Sequence, residues 1–239
     1  MSLIDLTKKV AIVLEKRNMT KVRAQVAMGM DISGSMQELY KHGVVQETVN
    51  RLSAVAIKFD DNGVLDSWVF SNETFETEPV TKELFDIYVD QFILQNSKID
   101  KWGGTFFSPL ILDMLQHYFP ELKPKGFIES LSGLFKSKST VQESSVVDPV
   151  FAMIVTDGEN SDKTETMELL KESEKYNIYW QFVGIGSEDF SFLTRAANQL
   201  PNVGFFKIED IKKISDEDLY DKLINEEFSE WIKKHSVSQ

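Results

Sequence analysis

Short apolar runs with the character of β-strands alternate along the chain with longer segments in which apolar residues follow a helical period. This alternation is typical of an α/β fold with a mostly parallel sheet. One run, Val150–Thr156, is almost continuously apolar, as expected of a strand that is covered on both faces. The runs predict six strands, at Arg23–Asp31, Asp66–Phe70, Glu73–Glu78, Val150–Thr156, Ile178–Ile185 and Val203–Phe206.

The segments of helical period lie between and after these strands. Between the first two strands, apolar residues from Val45 to Phe59 recur at steps of four and three, which predicts a long helix. The same reasoning predicts further helices at Lys82–Leu94, Ser108–Phe119, Lys163–Tyr176 and Phe190–Asn198, and a C-terminal helix at about 216–234.

The length of 239 residues fits one large domain, or one domain with an appendage, at roughly 100–200 residues per domain. We expect residues 1–22 to be an N-terminal extension and residues 23–239 to form a single domain. The Lys- and Ser-rich stretch of about 120–148 is much longer than the usual connection of about 4–6 residues, so it is predicted to be an insertion.

Composition narrows the classes of function. Acidic residues outnumber basic ones by 38 to 26, so the chain repels nucleic-acid phosphate and no nucleic-acid partner is expected. The absence of cysteine excludes disulfide scaffolds, thiolate zinc sites and cysteine nucleophiles. No apolar stretch is long enough to span a bilayer, and the first residues lack the features of a secretory signal. We therefore expect a cytoplasmic protein without a membrane partner.

Five polar residues that can carry chemistry lie at strand ends and in one glycine-rich loop. Three end the first strand, one follows the strand at 150–156, and one follows two glycines before the Ser108 helix. They are Asp31, Ser33, Ser35, Asp157 and Thr105. Ligands of open α/β sheets bind beyond the carboxyl ends of adjacent strands. A donor set made only of oxygen suits a hard divalent cation, and a cation held mainly by neutral hydroxyls can accept a carboxylate from outside.

The pattern Asp31-x-Ser33-x-Ser35, with Thr105 and Asp157, resembles the metal-ion-dependent adhesion site of von Willebrand factor A (VWA) domains. The surrounding sequence, over about 23–206, resembles the bacterial tellurium-resistance (TerF-type) branch of that superfamily. Four segments carry this second resemblance: Asp31–Met36, Phe59–Asp61, Asp66–Phe70 and Val183–Gly186. The resemblance implies a doubly wound, Rossmann-like α/β fold, with a mostly parallel six-stranded sheet, one antiparallel edge strand and helices on both faces.

The resemblance also implies a ligand and a function. One divalent cation is expected, with Mg²⁺ favoured and Mn²⁺ or Ca²⁺ as alternatives. Ser33 and Ser35 would bind it directly, Thr105 directly or through water, and Asp31 and Asp157 largely through water. The implied function is that of a metal-dependent protein-interaction module of a tellurium-resistance or stress-response system. Its protein partner would supply an Asp or Glu side chain as the last ligand.

Residues around this site are expected to influence the choice of partner. Tyr40, Glu159, Asn160 and Asp162 are predicted to lie near its rim, and the ring of Phe106 could line the surface around the ion. The insertion is predicted to lie on the opposite side of the domain, because the helix before it starts at the metal end and runs away from it.

Other interpretations remain open from the sequence. The Asp and Ser residues could merely cap helices. A metal-assisted phosphohydrolase or phosphotransferase could use the same site, although a carboxylate acid/base is expected two residues after the first Asp, where this chain has Ser33. Gly184-Ile-Gly186 is similar to part of a dinucleotide fingerprint, but Asp189 occupies the third glycine position. A structural domain without metal is a further alternative, and the oligomeric state is open.

Overall fold

The computed structural model describes residues 2–60, 63–122 and 148–236. Its strands are β1 (Gln25–Asp31), β2 (Leu65–Phe70), β3 (Thr74–Val80), β4 (Val150–Thr156), β5 (Ile178–Ile185) and β6 (Val203–Ile208). They form one sheet in the order β3-β2-β1-β4-β5-β6. The β2–β3 pair is antiparallel and every other neighbouring pair is parallel. The predicted α/β fold with one antiparallel edge strand is confirmed.

Helices cover both faces of this sheet. They are α1 (Leu3–Lys16), α2 (Gln37–Lys41), α3 (Val44–Phe59), α4 (Ser108–Tyr118), α5 (Lys163–Ser173), α6 (Ser191–Gln199), α7 (Asp216–Leu223) and α8 (Glu226–His235). Short 3₁₀ turns occupy Gly34–Met36 and Pro120–Leu122, and a π-helix occupies Val89–Leu94.

The core consists of two hydrophobic layers, one on each face of the sheet. Met28 and Met153 belong to the layer that includes α1, α3, α7 and α8, whereas Ala27 and Ala152 belong to the layer under α4, α5 and α6. Successive strand residues point to opposite faces. For this reason the wholly buried strand β4 contributes to both layers, which explains its continuous apolar run.

The strand order places β1 and β4 side by side at the centre of the sheet. The chain leaves β1 toward β2 on one side, and β4 pairs with β1 on the other, with Met30 opposite Val155. This reversal of direction is the topological switch point, beyond which open α/β sheets bind their ligands. Both strands end there, at Asp31 and Thr156.

The helix predicted at Lys82–Leu94 is only partly formed, because residues 82–87 are turns and regular helical structure is confined to the π-helix. The side chain of Gln46 on α3 supplies a physical reason. Its Oε1 accepts a hydrogen bond from the Val89 amide at 2.9 Å, and its Nε2 donates to the Phe85 carbonyl. Backbone groups that a continuous helix would pair internally are therefore bonded across to α3.

The single C-terminal helix predicted at about 216–234 is also wrong in detail, since α7 and α8 are separate helices. The break lies at Asn225, whose side chain accepts a hydrogen bond from the Phe228 amide at 2.8 Å. Asn is among the most favourable N-cap residues, because it satisfies an amide that the first turn leaves unpaired.

Residues 2–22 are packed into the same core as the rest of the chain. Leu6, Val10 and Val13 of α1 are buried, and α1 packs against α3 and α7. Ion pairs reinforce this contact, among them Lys9 with Asp216 at 2.8 Å. The segment predicted to be an N-terminal extension therefore contributes apolar surface to the domain core.

Most of the predicted insertion, residues 123–147, lies outside the described residues, and so does its predicted position opposite the site. Among the helices that the structure describes, none combines the length and the apolar character needed to cross a bilayer.

Candidate functional site

Asp31, the last residue of β1, lies at the base of the candidate site. It is fully buried, and its carboxylate accepts hydrogen bonds from the Ser33 amide at 2.7 Å and from the Thr156 hydroxyl at 2.6 Å. Burial raises the pKa of Asp31 to about 6, although the bonds from Thr156 and Ser33 act in the opposite direction. A nearby cation would favour the ionised form. Asp31 thus fixes the turn after β1 and ties it to the end of β4.

Three further residues form a chain of close oxygen contacts above Asp31. Ser33 Oγ lies 3.1 Å from Ser35 Oγ, and Ser35 Oγ donates to Asp157 Oδ1 at 2.6 Å. Ser33 is buried and Ser35 is exposed, so the chain leads from the interior to the surface. Burial raises the pKa of Asp157, the bond from Ser35 lowers it, and the charge of Glu188 raises it further. The structure therefore brings together residues that the sequence separates by more than 120 positions.

Thr105 belongs to a loop that is bonded to both of these strand ends. The Gly34 amide donates to the Gly103 carbonyl, and the Ser161 amide donates to the Thr105 carbonyl, each at 2.9 Å. Thr105 itself is buried. These bonds hold the Thr105 backbone between the turn after β1 and the loop after β4, which carries Asp157.

Asn72, which follows β2, supports this loop and was not identified from the sequence. Its Oδ1 accepts a hydrogen bond from the Gly104 amide at 2.7 Å. A Cβ on Gly103 would come within 2.7 Å of Asn72 Nδ2, so any larger residue at this position would displace the Asn72 amide. Asn72 lies far from the Asp31-x-Ser33-x-Ser35 motif in the sequence, and no sequence pattern indicates this role.

Asp162 has a role different from the predicted one at the rim. It is buried, and its carboxylate accepts hydrogen bonds from the amides of Phe107 and Ser108 at 3.1 and 2.7 Å. Asp162 therefore caps α4, which begins three residues after Thr105. In the chain, however, Asp162 directly precedes α5. Burial disfavours its ionised form, but these bonds outweigh burial and lower its pKa. The cap joins the Thr105 loop to the loop of Asp157.

The other residues predicted to lie at the rim differ in their exposure. Tyr40 is buried and donates to the Asp31 carbonyl at 3.0 Å. Asn160 is also buried and donates to Asp162. Glu159 is engaged by Lys163, Ser191 and the Phe192 amide. Tyr40 and Asn160 therefore support the loops from within rather than facing a partner, whereas Phe106 is partly exposed.

The donor set fits a hard divalent cation. Ser33 Oγ and Ser35 Oγ are 3.1 Å apart, and neighbouring oxygens around an octahedral Mg²⁺ with bonds of about 2.1 Å are roughly 3 Å apart. Within residues 2–60, 63–122 and 148–236, no three His, Cys, Asp or Glu side chains form a metal-binding group. A cation here would thus depend on hydroxyl oxygens as well as on Asp31 and Asp157.

A protein from Bacillus subtilis (strain 168), described as the uncharacterized protein YcbR, is 39% identical to this chain over 239 residues. The match covers 98% of this chain and 88% of that protein. A relative of this similarity and coverage shares the fold, but its name assigns no function.

Two solved structures are similar in fold at much lower identity. The first is a von Willebrand factor type A protein from Catenulispora acidiphila, with a TM-score of 0.56 and 15% identity, which covers 86% of this chain and 43% of that one. The second is proximal thread matrix protein 1 from the mussel byssus with a zinc-occupied MIDAS motif, with a TM-score of 0.53, 15% identity, and coverage of 83% and 45%. This chain thus spans less than half the length of either.

A match to a family model covers most of the chain. A family model for the vWA found in the TerF C terminus, the vWA-TerF-like model, matches residues 23–238, nearly the whole chain. The chain therefore belongs to the TerF-like family of VWA domains.

Proposed function

We propose that this VWA domain is a protein-interaction module whose partner binds through a divalent cation at the ends of β1 and β4. Asp31, Ser33, Ser35, Thr105 and Asp157 would hold the cation. The observation that carries the proposal is the continuous series of hydrogen-bond contacts from Asp31 through Ser33 and Ser35 to Asp157, at the switch point of the sheet. When bound, the cation supplies a Lewis-acid centre that accepts an Asp or Glu carboxylate of the partner.

The chain's own residues prepare this site in three ways. The buried carboxylate of Asp31 orients the turn through the Ser33 amide. Ser33 and Ser35 offer neutral oxygens as direct ligands, so the cation would keep its affinity for a carboxylate from outside. Thr105 is held from both sides by backbone bonds of its loop. We favour Mg²⁺, with Mn²⁺ or Ca²⁺ as alternatives, because oxygen-only sites suit hard cations.

Family membership supports the biological part of the proposal. The matching model describes domains at the TerF C terminus, and we propose a role in a tellurium-resistance or stress-response system. The mussel protein's zinc-occupied motif shows that a neighbour of this fold accepts a divalent ion. We further propose that the domain is not an enzyme, since Ser33 occupies the position where a phosphohydrolase of this kind would need a carboxylate. The cytoplasmic location stays a prediction.

Thermal unfolding of metal-stripped protein, titrated with Mg²⁺, Mn²⁺ and Ca²⁺, tests the cation site. A cation at about 100 times its dissociation constant should stabilise the wild type by about 2.7 kcal/mol. Asp157→Asn should lose this stabilisation, while its side-chain oxygen can still accept from Ser35. Glu230→Gln, an exposed change of the same kind on α8, should keep it. The proposal fails if no ion stabilises the wild type, or if Asp157→Asn responds as the wild type does.

A further inference from the structure

A groove of about 950 Å³ opens beside the candidate site, along the carboxyl ends of β5 and β6. Ser35 and Asp157 line one end of it, so the groove is continuous with the proposed cation site. Its other walls come from α2, the loop after β5, and residues 208–214 after β6. None of these segments contributes a proposed cation ligand, and the groove therefore needs an explanation of its own.

The groove has an apolar floor and a charged edge. Ile185, Ile208 and Ile211 are almost fully buried, whereas Glu188 and Glu209 are exposed. Protein interfaces have this arrangement, with an apolar centre and a polar, solvent-accessible rim. A small-molecule site, in contrast, encloses most of its ligand and contains few charged groups. The groove thus favours a segment of protein chain over a metabolite.

The groove is acidic overall, because five carboxylate side chains line it against two lysines. Lys213 pairs with Asp210 at 3.1 Å, and Lys212 donates to the His42 carbonyl at 3.0 Å, so both ammonium groups already have partners within the domain. Across the part of the chain that the structure describes, no ion pair engages the carboxylates of Glu188 and Glu209. An occupant with basic side chains would complement them.

We propose that the groove binds an extended partner segment in which the acidic residue that reaches the cation is followed or preceded by an apolar residue and by Lys or Arg. The apolar side chain packs on Leu39 and Ile214, the partly exposed apolar residues of the groove, and the basic side chain faces Glu188 and Glu209. This inference rests on the proposed function. The net charge of −12 on the whole chain also favours a basic occupant, because an acidic surface attracts a segment with excess Lys and Arg.

A random 12-residue peptide library displayed on phage, selected on wild-type protein with Mg²⁺ and eluted with EDTA, tests the proposal. The eluted peptides should contain an Asp or Glu and should be enriched in Lys and Arg relative to the starting library. The most enriched peptide is then synthesised with a fluorescent label, and its affinity is measured by anisotropy against variants of the domain.

Glu188→Gln/Glu209→Gln should bind this peptide roughly three- to tenfold more weakly, the combined effect of two exposed ion pairs. It should keep the Mg²⁺-induced thermal shift, since neither residue is a proposed ligand. Glu165→Gln/Glu168→Gln removes the same charge from the exposed side of α5 and should bind as the wild type does. The loss in Glu188→Gln/Glu209→Gln should shrink as salt is raised.

The outcomes separate the two proposals. Peptides that elute with EDTA but show no excess of Lys and Arg, or that bind Glu188→Gln/Glu209→Gln at wild-type affinity, overturn the groove proposal and leave the proposed function in place. A Mg²⁺-induced thermal shift without any EDTA-eluted peptide counts against partner capture, and the groove proposal falls with it. If the domain forms a Mg²⁺-dependent dimer that the peptide dissociates, the groove binds a second copy of the chain. That result would overturn the proposal that it binds a segment of a partner protein.

Discussion

The two parts of the surface at the carboxyl edge of the sheet differ in how much of their structure is fixed. Around β1 and β4, side chains such as Asp31 and Asp162 are buried and bonded to backbone amides of other loops. Around β5 and β6, the edge of the groove consists of exposed residues such as Glu188 and Glu209. The difference indicates a fixed candidate cation site beside a more exposed surface, which agrees with the separate roles proposed for the two.

The largest expected effect concerns the pH dependence of the buried site. Because the pKa of Asp31 is raised to about 6 in the folded state, the folded state retains a proton that the unfolded chain releases at lower pH. This contribution to stability is present below about pH 4 and is lost as pH rises through about 6. A shift of two pKa units corresponds to about 3 kcal/mol.

The measurement is the free energy of unfolding of metal-free protein in EDTA from pH 4 to pH 7, for the wild type and for Asp31→Asn. Asn has no proton to lose and can still contact Ser33 and Thr156. The wild type should lose stability relative to the variant as pH rises, and a saturating cation should reverse this loss at pH 7. Parallel curves for the two proteins would contradict the expectation.

Asp162→Ala should produce the next largest effect. It leaves the amides of Phe107 and Ser108 without their partner at the start of α4, which should cost about 2 kcal/mol of stability. Because the cap also holds the Thr105 loop, cation affinity should fall as well. Urea unfolding and calorimetric titration with Mg²⁺ measure the two effects, with the exposed Asp189→Ala as the matched control. An unchanged cation affinity would show that the Asp162 cap does not support the proposed cation site.

Gly103→Ala tests the close approach of the Thr105 loop to Asn72. The new Cβ would displace the Asn72 amide and weaken its bond to Gly104, at a cost of about 1 kcal/mol. Gly158→Ala is the control, because nothing lies within 4 Å of a Cβ at that position. Thermal unfolding of both variants should show a lower midpoint for Gly103→Ala only. Equal midpoints would show that the bond between Asn72 and Gly104 does not stabilise the domain.

The smallest expected effect lies in the groove. Glu188→Gln/Glu209→Gln should change the free energy of unfolding by less than about 0.5 kcal/mol, because both side chains are exposed and substitutions of exposed side chains change stability little. Chemical unfolding of this variant beside Asp162→Ala would sharpen the contrast between the two surfaces. A loss comparable to that of Asp162→Ala would show that the groove, too, is part of the fixed structure.

Much of the fold could be predicted from the sequence, because strands and helices leave periodic patterns of apolar residues. The strands were found where the pattern placed them, with ends shifted by a few residues. The two failures have different physical causes. Gln46 bonds to the distant backbone of Phe85 and Val89 and limits the predicted helix, whereas Asn225 caps α8 through a local contact with Phe228 and so divides the predicted C-terminal helix. Most of the insertion predicted at about 120–148 lies beyond what the structure describes.

The succession of strands and helices, and the place of five oxygen-bearing residues at strand ends and in one loop, depend on neighbours in the chain and can therefore be read from the sequence. Folding adds three features: Tyr40 and Asn160 face inward, Asp162 caps α4 from more than 50 positions away, and α1 completes the core. It also formed the groove, which is lined by four separate segments of the chain. Contacts between distant segments leave no local period, so only the folded chain brings them together.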